Sequence, residues 1–75
     1  MTDYLIGDRM RSARLRLKLS QTELAEEVAL RIGTWTQTTV SRTERSERDM
    51  TAREAPAVAE VLGVPVLWLI GVHDD

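Results

Sequence analysis

The chain has 75 residues, of which 43% are hydrophobic and 29% charged, with no cysteine and a formal net charge of −2. That length makes one domain, residues 1–75, which buries about 60% of its unfolded surface and has little room to enclose a sizeable substrate. The lack of cysteine excludes disulfides, thiolate zinc sites and cysteine nucleophiles, and it fits a cytoplasmic protein.

The longest apolar run, residues 61–72, is interrupted by Gly63 and Pro65 and is too short to cross a bilayer. Asp3 and Asp8 stand where a signal peptide would carry cations, so none is expected. The charge distribution says more than its sum. Residues 1–50 hold nine of the ten cations against eight acids, whereas residues 51–75 hold one cation and four acids. Residues 9–18 carry five cations and no acid (Arg9, Arg11, Arg14, Arg16, Lys18). All the cations but Lys18 are arginine, the side chain whose fork suits phosphates and base edges.

The first predicted helix runs from about Asp3 to Leu17, with Leu5, Ile6, Met10, Ala13 and Leu17 as its apolar stripe. Ser20-Gln21-Thr22-Glu23 has the form of a capping box and opens a second helix. This helix buries Leu24, Ala25 and Val28 and stops near Gly33. Thr36 caps a third helix, about Gln37 to Arg45, whose one strong apolar anchor is Val40. Gln37, Thr38, Thr39, Ser41, Arg42, Thr43 and Glu44 make that helix poor core material and a good presenter of hydrogen-bonding groups.

Met50 to Glu54 forms a second capping box. It leads into a fourth helix with Ala55, Val58, Ala59 and Leu62 inward; Pro56 distorts its first turn or moves its start. Pro65 opens a short fifth helix, Val66 to Ile70, that is apolar on nearly every side. Residues 72–75 read as a loose tail. No strand is predicted, so the fold class is all-α with five helices.

Short helices, a basic first helix and a polar third helix point to the helix-turn-helix group. Four strings then carry a more specific resemblance: Ile6 to Arg11, Leu19 to Ala25, Thr39 to Arg45, and Val61 to Pro65 followed by Trp68 to Ile70. In that order they resemble the Cro/repressor-type (XRE) family of phage and bacterial regulators, whose fold is lambda repressor-like. The resemblance spans about residues 5–71. It implies that the third helix lies in the major groove of double-stranded DNA, with Gln37, Thr38, Ser41 and Arg42 at base edges. It also implies phosphate contacts from Gln21 and Thr39, an Arg14–Glu44 salt bridge, and a dimer-forming last helix.

Thr36 and Arg45, at the ends of the third helix, join the phosphate candidates. Arg31, the only cation between Lys18 and Arg42, joins them too. The chain departs from the family pattern in three places. Lys18 stands where glycine is usual, Thr43 where an aromatic or aliphatic residue is common, and the stretch from Ala25 to Val40 is longer than usual. The added region, Ala29 to Trp35, makes either a longer second helix or a larger loop, with Trp35 folding back over the domain.

Plainer alternatives stand beside each assignment. Gln37 and Thr38 are also ordinary exposed helix residues, and Arg42 has Glu47 and Asp49 within reach. Arg14–Glu44 reads as structural rather than as recognition. His73 beside Asp74 and Asp75 is a weak metal site, and no cofactor is expected. Ser20 and Ser41 have no histidine base, and the four glycines match no phosphate-cradling spacing, so no enzyme is read.

The apolar last segment holds Val64, Val66, Leu67, Trp68, Leu69, Ile70 and Val72, more than one face of a short helix can bury. Leu67, Trp68 and Ile70 are the candidates for a homodimer interface. The function read from the chain is thus a DNA-binding regulator occupying a palindromic operator. The alternative is an antitoxin or adaptor that uses the same fold to bind protein.

Overall fold

The structure, a computed structural model, describes residues 5–71. Five helices follow in order: α1 (Leu5–Arg16), α2 (Gln21–Ile32), α3 (Gln37–Glu44), α4 (Glu54–Leu62) and α5 (Val66–Ile70). Among the described residues there is no strand, so the fold is all-α. No described helix is long and apolar enough to cross a membrane. The tail expected at residues 72–75 lies outside the described residues.

α1 turns Met10 and Ala13 fully inward. It ends at Arg16 because Lys18 adopts the left-handed conformation, with φ +61°. The end is closed by backbone hydrogen bonds from Leu17 to Ala13, Lys18 to Leu15 and Leu19 to Arg14. Leu17, expected on the buried stripe, is therefore 45% exposed, because the chain has left the helix before reaching it. The left-handed turn also accounts for the glycine that resembling sequences carry where Lys18 stands.

α2 opens on the expected capping box. The Ser20 hydroxyl accepts from the Glu23 backbone N–H at 2.9 Å, and the Glu23 carboxylate accepts from the Ser20 N–H at 2.8 Å. Leu24, Ala25 and Val28 are buried as read, and Gly33 ends the helix at φ +99°. The added region thus lengthens α2 and adds only the short link of residues 33–36. Trp35 in that link is buried in the core, with its indole N–H donated to Glu54 Oε2 at 3.0 Å.

The residues around Thr51 make both capping hydrogen bonds, Glu54 N–H to the Thr51 hydroxyl and Thr51 N–H to Glu54 Oε1. The regular helix nevertheless begins only at Glu54. Pro56 is its third residue, where a missing N–H leaves no helical bond unmade. α5 follows Pro65 and buries Leu69 completely. Met10, Leu24, Val28, Val40, Val58, Leu62 and Leu69 meet in one core, joined by Trp35 and several alanines.

One close approach sets how α1 lies on α3. A Cβ on Gly7 would stand 2.5 Å from the Thr43 carbonyl oxygen and 2.7 Å from that of Glu44. Only glycine lets the start of α1 reach the end of α3 at that distance.

The strain at Lys18 is directly testable. A left-handed residue other than glycine is destabilised by about 1–2 kcal/mol, of which glycine's larger unfolded-state freedom takes back part. Lys18→Gly should therefore raise stability by about 0.5–1 kcal/mol in urea unfolding. Lys18→Ala keeps the strain and should leave the midpoint near that of the parent.

Candidate nucleic-acid interface

α3 is split lengthwise by its sequence. Val40, Thr43 and Glu44 are buried, whereas Gln37, Thr38 and Arg42 are exposed and Ser41 is half-buried. Gln37 and Ser41 are four residues apart, as are Thr38 and Arg42, so the four side chains form two adjacent rows on one outward face. Arg42 makes no side-chain hydrogen bond or ion pair among the described residues, to Glu47 or to Asp49. Its five donors are therefore available outward.

Behind that face lies a buried ion pair. Arg14 Nε donates to Glu44 Oε2 at 2.7 Å and its Nη2 to Glu44 Oε1 at 2.9 Å. The two side chains are 9% and 3% exposed. The hydrogen bonds to Glu44 hold the Arg14 guanidinium above its ordinary pKa against the opposing effect of burial, with the Glu44 charge adding to them. Arg14 Nη1 also donates to the Leu19 carbonyl at 2.9 Å, so one guanidinium ties α1, the turn after it and α3. Gln21 Nε2 donates to Glu44 Oε1 at 3.0 Å, and Gln37 Nε2 donates to Gln21 Oε1 at 2.7 Å.

The remaining phosphate candidates divide. The Thr36 hydroxyl caps α3, accepting from the Thr39 N–H at 3.2 Å and lying 3.1 Å from the Thr39 hydroxyl. Arg45 forms an exposed two-pronged pair with Glu47, both bonds at 3.1 Å. Arg31 is not gathered with the others. It lies about 15 Å along α2 from Gln21. There it donates to Glu60 of α4 at 2.8 Å and to the Glu27 carbonyl at 2.9 Å. The lengthening of α2 carries Arg31 to the seam with α4, where two carboxylates offer nearer partners than a phosphate beside α3.

Sequence reasoning missed a second knot at Glu54. Its carboxylate accepts from Arg48 Nη2, the Trp35 indole and the Thr51 N–H. Burial pushes the Glu54 carboxyl up, but these bonds and the Arg48 charge outweigh it and hold the pKa below the usual range. Arg48 Nη1 also donates to the Thr43 hydroxyl, which donates in turn to the Thr39 carbonyl. A buried threonine is tolerated at that position because Arg48 satisfies it. The only signal within reach was the Thr51–Glu54 capping pair, which left the rest of the carboxylate to be claimed. The Gln21–Gln37 contact joins residues 16 apart and had no signal in the spacing.

The three interface candidates on α5 also separate. Leu67 is 59% exposed and Trp68 37%. Ile70 instead lines an apolar groove of about 390 Å³ with Ile6, Met50, Ala55, Pro56 and Val66. The Arg9 guanidinium stacks 5.5 Å from the Trp68 ring centre and donates to the Trp68 carbonyl at 2.8 Å, covering one side of the ring. Among the described residues no group of three acids or histidines could hold a metal. His73 lies outside those residues.

Residues 10–69 match the family described as Helix-turn-helix. Among solved structures, the chain is similar to the P22 c2 repressor protein in complex with synthetic operator 9T. The TM-score is 0.78 and the sequence identity 27%, over 88% of this chain and 92% of that one. No curated protein matches the sequence.

The ion pair behind α3 should show coupling. Arg14→Met or Glu44→Leu alone leaves a buried charge unpaired and should destabilise by roughly 3–5 kcal/mol, and the double substitution by less than the sum of the two. Urea unfolding of the four proteins measures this, and strict additivity would show that the two charges do not depend on each other.

Proposed function

The chain belongs to the Helix-turn-helix family, of Cro/repressor type, and from that premise we propose that it is a transcriptional regulator, not an enzyme, that binds double-stranded DNA through α3. The observation that carries the reading is the outward polar face of α3, with Arg42 unengaged and Gln37, Thr38 and Ser41 beside it. An eight-residue helix is about 12 Å long, a fit to a major groove about 12 Å wide. Arg42 can grip guanine O6 and N7 with two N–H groups, and Gln37 can pair with adenine through one donor and one acceptor.

Gln21, Thr36, Thr39 and Arg45 would fix the register on phosphates. Arg45 can exchange its exposed Glu47 partner for a phosphate at small cost, because surface ion pairs contribute little. The P22 c2 relative is described on a synthetic operator, which supports an operator as the target here. In this reading the chain is one DNA-binding domain, working in the cytoplasm beside the DNA. Regulation is by occupancy, since a bound protein excludes polymerase or a competing regulator.

We assign the dimer to α5. Leu67 and Trp68 expose apolar surface next to the groove lined by Val66 and Ile70 of the same helix. A projecting side chain beside a hollow is self-complementary, as a two-fold contact requires. Two copies so related would set two α3 helices about one DNA turn apart, roughly 34 Å, and call for a palindromic site.

Selection of bound sequences from a random duplex pool tests the assignment of α3. The parent should return a two-fold symmetric motif. Arg42→Ala should weaken binding to it by about 1–3 kcal/mol and relax one base pair per half-site. Failure to enrich any motif would leave the fold to serve protein binding instead, as an antitoxin or adaptor does. Leu67→Glu addresses the dimer separately. Titration of the selected duplex followed by sedimentation should show the parent filling both half-sites together and the variant filling them one after the other, with half-site affinity retained.

A further inference from the structure

We propose that Arg9 is a positioning residue for half-site spacing, clasping Trp68 so that the dimer helix α5 keeps one fixed attitude to the DNA-facing helix α3. The inference rests on the reading of α5 as the dimer contact, and it starts from what holds so short a helix in place.

α5 has five residues, and Leu69 is the one that is buried. A helix of that length is not stable by itself, so its attitude is set by what it packs on. Leu69 anchors it in the core, and Arg9 of α1 holds its far end. Arg9 Nη1 donates to the Trp68 carbonyl at 2.8 Å, at the end where helix carbonyls lack partners and a cation is favoured. The same guanidinium lies 5.5 Å from the centre of the Trp68 ring, within cation–π range. Gly71 makes room for it. Its φ is +84°, and a Cβ there would stand 3.0 Å from Arg9 Nη1. One side chain thus grips both the backbone and the ring of Trp68.

α1 makes a second tie of this kind. Arg14, five residues on, binds Glu44 of α3. Five residues turn a helix by about 140°, so the two arginines reach different neighbours. α1 is therefore the beam between the helix that reads DNA and the helix that meets a second copy. Leu67 and Trp68 carry the exposed apolar surface of α5. A swing of Trp68 or of α5 moves the contact between copies, and with it the separation of the two α3 helices. Arg9 stands on the α5 side of α1, so losing it should disturb the spacing and leave the reading of each half-site intact.

The probes are the duplex selected by the parent, a copy with one base pair added between the half-sites, and a duplex holding a single half-site. The added pair turns one half-site by about 35°. The parent should fill both half-sites together on the selected duplex and lose about tenfold in affinity on the lengthened one. Arg9→Met keeps the stem and removes the guanidinium. It should bind the single half-site like the parent but fill the selected duplex about tenfold more weakly, since the stack and the carbonyl bond bias α5 to that order. Its preference between the two spacings should drop below about threefold. In the free protein, acrylamide quenching of tryptophan emission should rise in Arg9→Met. Trp35 is 7% exposed, so the added quenching reports Trp68.

If Arg9→Met loses its helical circular dichroism, Arg9→Lys decides. It keeps the charge but has no planar fork to lie on the ring while reaching the carbonyl, and it should show weaker joint filling. A folded variant that keeps the parent's joint filling and spacing preference overturns the positioning role and leaves the α5 dimer standing. Unchanged quenching in a folded Arg9→Met overturns it too, because the ring was then not held by Arg9. If the parent itself fills the two half-sites independently, the α5 dimer falls and takes this inference with it.

Discussion

The arrangement of this domain hangs on one guanidinium. Glu44 sits in the last turn of α3, where the helix dipole disfavours a negative charge, and its side chain is almost wholly buried. Alone it would be one of the more destabilising groups in the chain. Arg14 reverses that from the last turn of α1, where a cation is favoured, by donating to both carboxylate oxygens and to the Leu19 carbonyl. Gly7, two helical turns further back on the same face, lets α1 come close enough for the pair to form. The outward presentation of α3 follows from this pairing on its inner side.

An acidic protein can bind an acidic polymer when its cations are unevenly compensated. Arg14, Arg31, Arg45 and Arg48 each have a carboxylate partner, in Glu44, Glu60, Glu47 and Glu54. Arg11, Arg16, Lys18 and Arg42 form no ion pair among the described residues, and all four are exposed. They lie on α1, the turn after it and the outer face of α3. The acids of the second half are spent partly on bracing α2 and the α3–α4 connection. The net charge of −2 thus understates how positive the α1–α3 side is.

Much of this was legible because the helix ends are written locally. Ser20, Thr36, Gly33 and Pro65 each act within four residues of themselves, so the limits of α2, α3 and α5 could be read within a residue or so. The paired charges Arg14 and Glu44 came from resemblance, not from spacing. Where the reading failed, the deciding contact was distant or conformational. Leu17 looked like one more turn of stripe until the left-handed Lys18 removed it from the helix. The Glu54 knot joins three segments that no periodicity connects, and the Gln21–Gln37 contact joins the starts of two helices across the turn between them.

The lengthened α2 shows how an insertion can leave a site undisturbed. Gln21 and Ile32 are about 16 Å apart along the helix, and the link from Ile32 to Gln37 spans at most about 17 Å. Yet the Gln21 and Gln37 amides touch at 2.7 Å, so the link must turn back toward the start of α2. An extended return of this kind has few helical hydrogen bonds to hold it. It is held instead from α4 and the residues before it. Arg53 donates to the Ile32 carbonyl at 3.0 Å, Glu60 holds Arg31, and Trp35 is buried with its indole on Glu54. Every one of these braces lies on the α4 side. The extra length is absorbed away from α3, and the first residue of α3 still arrives beside the first residue of α2, where the Gln37 amide meets that of Gln21.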